Sequence, residues 1–224
     1  MIKRIGVLVP AENASIEYDL WKMSPVSVTV HSTRFVHEEG WEPTDVESFR
    51  ENLKRSFELL EPIADVLIYG LTFGSHTVAE VIKKSSTKHV VIPEEAAVAM
   101  MRELGYRRVW VATPYAKDRM EEESSWFKSK TFEVVGNGGL ETASTSNISN
   151  ISTLKIYDML KANYTRVMEA DVIYIACTAL RTFEIAKLIH DEFQKPVISE
   201  NVAAMWEALK LLGIESGIFE QFMS

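Results

Sequence analysis

Ala64-Asp65-Val66-Leu67-Ile68-Tyr69-Gly70-Leu71-Thr72 and Ala170-Asp171-Val172-Ile173-Tyr174-Ile175-Ala176-Cys177-Thr178 decide the fold. They are two copies of one pattern, 106 residues apart. Each is Ala-Asp followed by an apolar run, as suits a parallel strand buried on both faces. The same offset sets residues 89–97 against 195–203, and an offset of 104 sets 5–10 against 108–114 with one residue of slack. Three segments in one order imply an internal repeat, hence two similar halves facing across a cleft. The chain's one cysteine, Cys177, ends the apolar run of the second copy, and its counterpart in the first is Leu71.

Outward from these blocks, strand and helix patterns alternate. In the first half strands are expected at 3–9, 26–35, 64–69 and 89–92. Helices are expected at 15–23, at 45–60 with Thr44 as cap, at 76–84, and at 94–104 ended by Gly105. In the second half strands are expected at 107–112, 132–136, 170–176 and 196–199. The helices there are 116–129, 153–168, 182–192 and 201–212, the last stopped by Gly213. Asn137-Gly138-Gly139 reads as a turn and 142–152 as the longest loop. The alternation therefore predicts the α/β fold class, two repeated halves each with a mainly parallel sheet. The N-terminal half is taken as 1–93, completed by a C-terminal helix at 205–224, and the C-terminal half as 94–204. Ligands of such sheets bind beyond the carboxyl ends of the strands. The loops there are 10–14, 71–75, 93–94, 114–116, 177–182 and 199–201.

A length of 224 residues suffices for a substantial core, and a net charge of −8 argues against nucleic-acid or anionic-membrane partners. No apolar run is long enough to span a bilayer and no signal peptide precedes the first strand, so a cytoplasmic location is expected. One cysteine excludes an internal disulfide and any multi-cysteine metal site. Neither GxGxxG nor GxxxxGK[ST] is present.

Cys177 stands at a strand end shortly before a helix expected to start near Thr182. Backbone N–H groups and the helix dipole there favour a thiolate. The bland alternative is a small buried apolar side chain. The surrounding motif separates the two. Cys177-Thr178-Ala179-Leu180-Arg181-Thr182 resembles the CTxLRT signature of maleate cis-trans isomerases and arylmalonate decarboxylases in the aspartate/glutamate racemase superfamily. Gly6 to Asn13 resembles their GxxxPxxN, with Pro10 and Asn13 at the fixed positions. Thr113-Pro114-Tyr115 resembles their TPY, and the segment from Pro196 to Trp206 their PVxSSNxAxxW.

This resemblance implies two flavodoxin-like halves with the active site between them and neither metal nor organic cofactor. It implies a small carboxylate or dicarboxylate substrate, and a homodimer is the default oligomer. Racemases and isomerases of the superfamily place a cysteine on each half. Here the second-half cysteine is Cys177 and the first-half position is Leu71, which has no proton to exchange. A lone cysteine matches the decarboxylases, where it protonates the enediolate left when carbon dioxide departs. Carried over residue by residue, Cys177 is catalytic. Pro10, Asn13, Leu71, Thr72, Phe73, Tyr115, Asn147 (or Asn150) and Thr178 form the substrate site. Thr72 and Tyr115 match hydroxyls that bind carboxylate, Asn13 an asparagine that does so, and Phe73 replaces a second hydroxyl.

Other readings stand beside these. Asn13 also suits a helix cap, Tyr115 a packed turn tyrosine, and Arg181 a loop-organising ion pair. His76 could supply the missing second acid, though a cap or surface role is the plainer reading. Glu94, Glu95 and Glu200 occupy loop positions beside an anion site, so they either point away or face a cationic substrate group. Trp21, Trp41, Trp110 and Trp126 read as core or interface, and Trp206 packs the last helix. The expected activity is cofactor-independent enolate chemistry of the decarboxylase kind. The alternatives are isomerisation or racemisation with a non-cysteine second group, or a silent carboxylate-binding protein.

Overall fold

The computed structural model describes residues 2–36, 46–72, 75–142 and 145–223, with side chains except at 46–50, 52, 75–77 and 145–146. Thr44, Trp41 and Phe73 lie outside the described residues, as does the His76 side chain. Two four-stranded sheets, parallel throughout, make the architecture. The first has the order β2-β1-β3-β4, with β1 Lys3–Pro10, β2 Val28–Phe35, β3 Val66–Tyr69 and β4 Val90–Val91. The second repeats it as β6-β5-β7-β8, with β5 Arg108–Tyr115, β6 Glu133–Thr142, β7 Val172–Ile175 and β8 Val197–Ser199.

The repeat holds at the level of single hydrogen bonds. Asp65 Oδ2 accepts from Arg4 N at 2.8 Å, and Asp171 Oδ2 accepts from Arg108 N at 2.8 Å. Gly70 N donates to Leu8 O at 2.8 Å, and Ala176 N to Ala112 O at 2.9 Å. The Ala-Asp pair thus ties the start of each central strand to its neighbour. In the last strands the alignment slips by one residue. Leu67 pairs with Val90 whereas Ile173 pairs with Val197, so Val90 is the counterpart of Val197 rather than of Pro196.

The helices of the first half are α1 (Ile16–Met23), α2 (Val46–Leu60), α3 (Ser75–Lys84) and α4 (Pro93–Glu103). Those of the second are α5 (Lys117–Ser129), α6 (Leu154–Ala162), α7 (Tyr164–Val167), α8 (Phe183–Phe193) and α9 (Glu200–Leu211). Helices α4 and α9, equivalent in the repeat, pack on each other, and α9 also touches α1 and β3. Both end as expected. Gly105 (φ +79°) and Gly213 (φ +68°) take the left-handed conformation. The next N–H reaches back in each case, Tyr106 to Met101 O and Ile214 to Leu209 O, both at 2.9 Å. Glycine adopts that φ without a Cβ penalty.

Three sequence expectations are corrected. Asn137-Gly138-Gly139 is no turn; β6 runs straight through it. Its glycines are demanded by packing instead. A Cβ on Gly136 would stand 2.1 Å from Trp110 Cζ3, and one on Gly138 2.5 Å from Met159 Sδ. The expected helix 153–168 breaks at Asn163 into α6 and α7. The chain beyond α9 is not one helix to the C-terminus. A 3-10 turn over Gly217–Phe222 packs on α8, with the Phe183 and Phe222 rings 5.8 Å apart. Trp110 and Trp126 are core, whereas Trp21 is exposed. Among the described residues no helix is long and apolar enough to cross a membrane.

Candidate active site

The carboxyl ends of β1, β3, β5 and the loop after β7 converge on one small cavity. Pro10, Asn13, Leu71, Thr72, Tyr115, Cys177 and Thr178 all line it, joined by Glu12, Ile148 and Ala179. Its volume is about 30 Å³, room for about two waters. Two larger depressions, about 470 and 580 Å³, lie away from these strand ends, beside β4 and beside the end of α9. Chemistry is assigned to the small cavity because only there do strand ends of both halves meet.

Cys177 is buried and has a φ of +84°, rare for a residue with a side chain. Such strain persists only where surrounding bonds over-determine it. Those bonds are visible. Cys177 O accepts from Leu180 N at 3.1 Å. Beyond it Thr182 donates twice to Asp19 Oδ2, from N at 2.7 Å and from Oγ1 at 2.8 Å, and Oγ1 also pairs with Ser199 Oγ at 2.8 Å. Asn201 Nδ2 donates to Asp19 Oδ2 (2.8 Å), Thr178 O (3.2 Å) and Leu180 O (3.1 Å). The Cys-Thr-Ala-Leu-Arg-Thr loop is therefore clamped to α1 of the other half by a buried carboxylate. Burial raises the Asp19 carboxyl against these donors.

The thiol is not the thiolate expected from the sequence. Ala179 and Leu180 N–H groups do face the sulfur, and the Tyr115 hydroxyl bonds it. Burial first, and the nearby Glu200 second, outweigh them and push the Cys177 thiol up to about 12. Such a group keeps its proton at neutral pH, which suits an acid rather than a nucleophile.

The two halves are stitched together at the floor of the cavity. Thr178 N donates to Thr72 Oγ1 at 3.0 Å, and Thr178 Oγ1 donates to Gly70 O at 2.7 Å. Asn13 takes the capping role and also ties the two halves together. Its Oδ1 accepts from Ser15 N (3.0 Å) and Ile16 N (3.1 Å), capping α1, while Nδ2 donates to Thr178 Oγ1 at 3.1 Å and, weakly, to Gly70 O at 3.5 Å.

Asn147 is exposed on the 3-10 turn Thr145–Asn150, outside the cavity lining; its neighbour Ile148 is buried and lines it. Asn150 is exposed too. Arg181 is exposed, its guanidinium 5.6 Å from the Tyr18 ring centroid rather than in the cavity. Glu95 points outward and pairs with Lys83 at 2.6 Å.

Glu94 and Glu200 point inward, beneath the cavity rather than into it. With Glu123 of α5 they bring carboxylate oxygens within 4.8 Å of one another, all buried. Glu200 accepts hydrogen bonds from Thr72 Oγ1, from Tyr174 OH at 2.6 Å, and from the N–H groups of Cys177 and Thr178. Tyr174 OH also reaches Glu123 at 3.0 Å. Burial pushes the Glu200 carboxyl up to about 7. Burial, then the charges of Glu94 and Glu200, raise Glu123 well above the usual carboxylate range. Three close carboxylates have the spacing to hold a cation. Here hydroxyl and N–H donors already serve Glu200.

The family model described as arylmalonate decarboxylase matches residues 67–219. The maleate isomerase of Alcaligenes faecalis is 24% identical over 236 residues, covering 96% of this chain and 93% of that protein. The arylmalonate decarboxylase of Bordetella bronchiseptica is 22% identical, covering 92% of this chain and 86% of its own length. Among solved structures, a Nocardia farcinica maleate cis-trans isomerase mutant with a covalently bound succinylcysteine intermediate superposes with a TM-score of 0.82. It is 21% identical and covers 96% of this chain and 94% of its own. Unliganded arylmalonate decarboxylase gives a TM-score of 0.79 at 18% identity, covering 98% of each chain.

Proposed function

Because the chain belongs to the arylmalonate decarboxylase family, an enzyme family of the aspartate/glutamate racemase-like branch, we propose that it stabilises an enolate of a small carboxylic or dicarboxylic acid and protonates it from Cys177. The preferred reaction is decarboxylation. The bond between the α-carbon and one carboxylate breaks, carbon dioxide leaves, and the electron pair passes into an enediolate. The Cys177 S–H bond then breaks and its proton goes to the α-carbon; water returns a proton to the sulfur. No cofactor enters this scheme. Stabilising the enediolate falls to hydroxyl and amide donors at the cavity, Tyr115 and Asn13 first, each good donor being worth roughly 3–4 kcal/mol.

The observation that carries the reading is the pairing across the cavity. A thiol that stays protonated lies on one half and an aliphatic side chain, Leu71, on the other. On this reading one strand end offers a proton and its counterpart none. That supports single-face protonation over two-base racemisation. Maleate isomerisation is the second reading, favoured by the 24% identity to the Alcaligenes faecalis enzyme over nearly the whole chain.

A panel of malonates, maleate, hydantoins and amino acids, followed by NMR in deuterated water, tests the assignment. Loss of carbon dioxide with one deuterium placed on the α-carbon supports decarboxylation. Fumarate from maleate would replace it with the second reading. No turnover of any substrate, with carboxylates still bound, would make the protein a carboxylate binder.

A further inference from the structure

Thr72 is the residue through which the cavity meets the carboxylates beneath it, and its one hydroxyl hydrogen is committed to them. A hydroxyl has one hydrogen to give and two lone pairs. The Thr72 hydrogen goes to Glu200 Oε2, and one lone pair accepts from Thr178 N at 3.0 Å. As the side chains stand, Thr72 presents only oxygen lone pairs to an incoming carboxylate, which repel it. The hydroxyl turns into a donor only if Glu200 stops accepting from it.

We infer that Glu200 is a positioning residue: it takes up a proton as the substrate carboxylate arrives, reverses its hydrogen bond with Thr72, and so turns the Thr72 hydroxyl toward the substrate. In the reversed state Glu200 Oε2–H donates to Thr72 Oγ1. That oxygen then accepts twice, from Glu200 and from Thr178 N, and its own hydrogen points into the cavity. Every donor and acceptor remains used. The proton comes from solvent and no other bond changes. The inference rests on the reading of the cavity as a carboxylate site.

The surroundings favour uptake. The groups facing Glu200 are Glu94 on α4, Glu123 on α5, Tyr174 on β7, Cys177 on the following loop and Tyr115 on β5, all of them acids. An arriving carboxylate adds one more negative charge to that set, which favours the neutral form of Glu200. Burial already holds its carboxyl at about 7, so a proton is available near neutral pH.

The test is calorimetric titration of the whole protein with malonate between pH 6 and 8.5, in two buffers of different ionisation enthalpy. The expected wild-type result is affinity falling about tenfold per pH unit above 7, with up to one proton taken up per malonate. Glu200→Gln should bind malonate with no such step and no proton uptake. Thr72→Val should lose affinity at pH 6 together with the step, and Thr72→Ser should keep both, which separates hydroxyl orientation from general damage. Should Glu200→Gln fail to fold, the Thr72 pair carries the test. A wild-type affinity independent of pH, or a step and proton uptake that persist in Glu200→Gln, would overturn the inference alone. Failure of wild type to bind malonate at any pH would overturn the carboxylate-site reading and this inference with it.

Discussion

Thr178 donates its backbone N–H to Oγ1 of Thr72 at 3.0 Å, and the two threonines are the same position in the two halves, 106 residues apart. Equivalent positions of the two halves thus meet directly. The residues just before them, Leu71 and Cys177, line the same cavity, one from each half. The repeat thus brings two equivalent strand ends to one cavity, with a thiol at one and an aliphatic side chain at the other.

The first prediction follows from that symmetry. Leu71→Cys should install a second proton-transfer group on the opposite face. The variant should racemise a chiral product and exchange its α-hydrogen from both faces, where wild type delivers one enantiomer. Chiral chromatography of the product reads this out. A wild type that already scrambles both enantiomers would contradict it.

The second concerns thiol reactivity. Burial and Glu200 hold the Cys177 thiol protonated up to about 12, so iodoacetamide should alkylate it slowly at pH 7. The rate should climb about tenfold per pH unit with no plateau by pH 9, since only the thiolate reacts. Fast alkylation at neutral pH would mean that the thiol is not held neutral. Slow alkylation therefore does not mark Cys177 as an inert relic, contrary to the simplest expectation for a reactive cysteine.

The third concerns the clamp on the Cys177 loop. Asp19→Ala strands the Thr182 N–H in the interior and removes one of the three acceptors of the Asn201 amide. Each buried group left unpaired costs roughly 1–3 kcal/mol, so chemical denaturation should show a loss in that range or above it. Activity should fall further than stability predicts, because the strained Cys177 backbone loses its anchor. Stability equal to wild type would remove Asp19 from the account.

The fourth is a pH dependence. Burial raises Glu200 to about 7 and Glu123 well above its usual range, whereas both titrate near 4.5 when unfolded. A carboxyl raised in the folded state contributes stability that is fully present below the unfolded value. That contribution is lost as pH rises through the folded one. The melting temperature should therefore fall between pH 4.5 and 7, with Glu200 contributing on the order of 3 kcal/mol across that window. Glu123→Gln should flatten the slope and raise the melting temperature at pH 8. An unchanged slope would mean that Glu123 does not titrate in this window.

The α/β order, the repeat and the place of Cys177 at the cavity were legible because each leaves a local mark. Ala-Asp before an apolar run recurs at 64 and 170, glycines mark the helix ends at 105 and 213, and Cys177 stands in a dense motif. What stayed hidden is set by packing between distant segments. Asn137-Gly138-Gly139 has turn composition, yet the clearance needed by Trp110 and Met159 explains its glycines. Asp19 and Glu123 carried a faint signal. Each is an acid on an apolar helical stripe, Asp19 with Ile16, Leu20 and Met23, and Glu123 with Trp126 and Phe127. Their partners, Thr182 and Tyr174, come from other elements and no spacing along the chain reveals them. The thiol's protonation could not be read either. N–H groups at a strand end argue for thiolate, and only the burial and the glutamate beneath reverse the balance.

The most direct test of the central claim is turnover of the best substrate in deuterated water by wild type and Cys177→Ser. Cys177 as the proton donor predicts one deuterium on the α-carbon in a single configuration. The serine variant should stay folded and turn over at least ~10²-fold more slowly, the scale of a lost general acid. Turnover by Cys177→Ser equal to wild type would contradict the account.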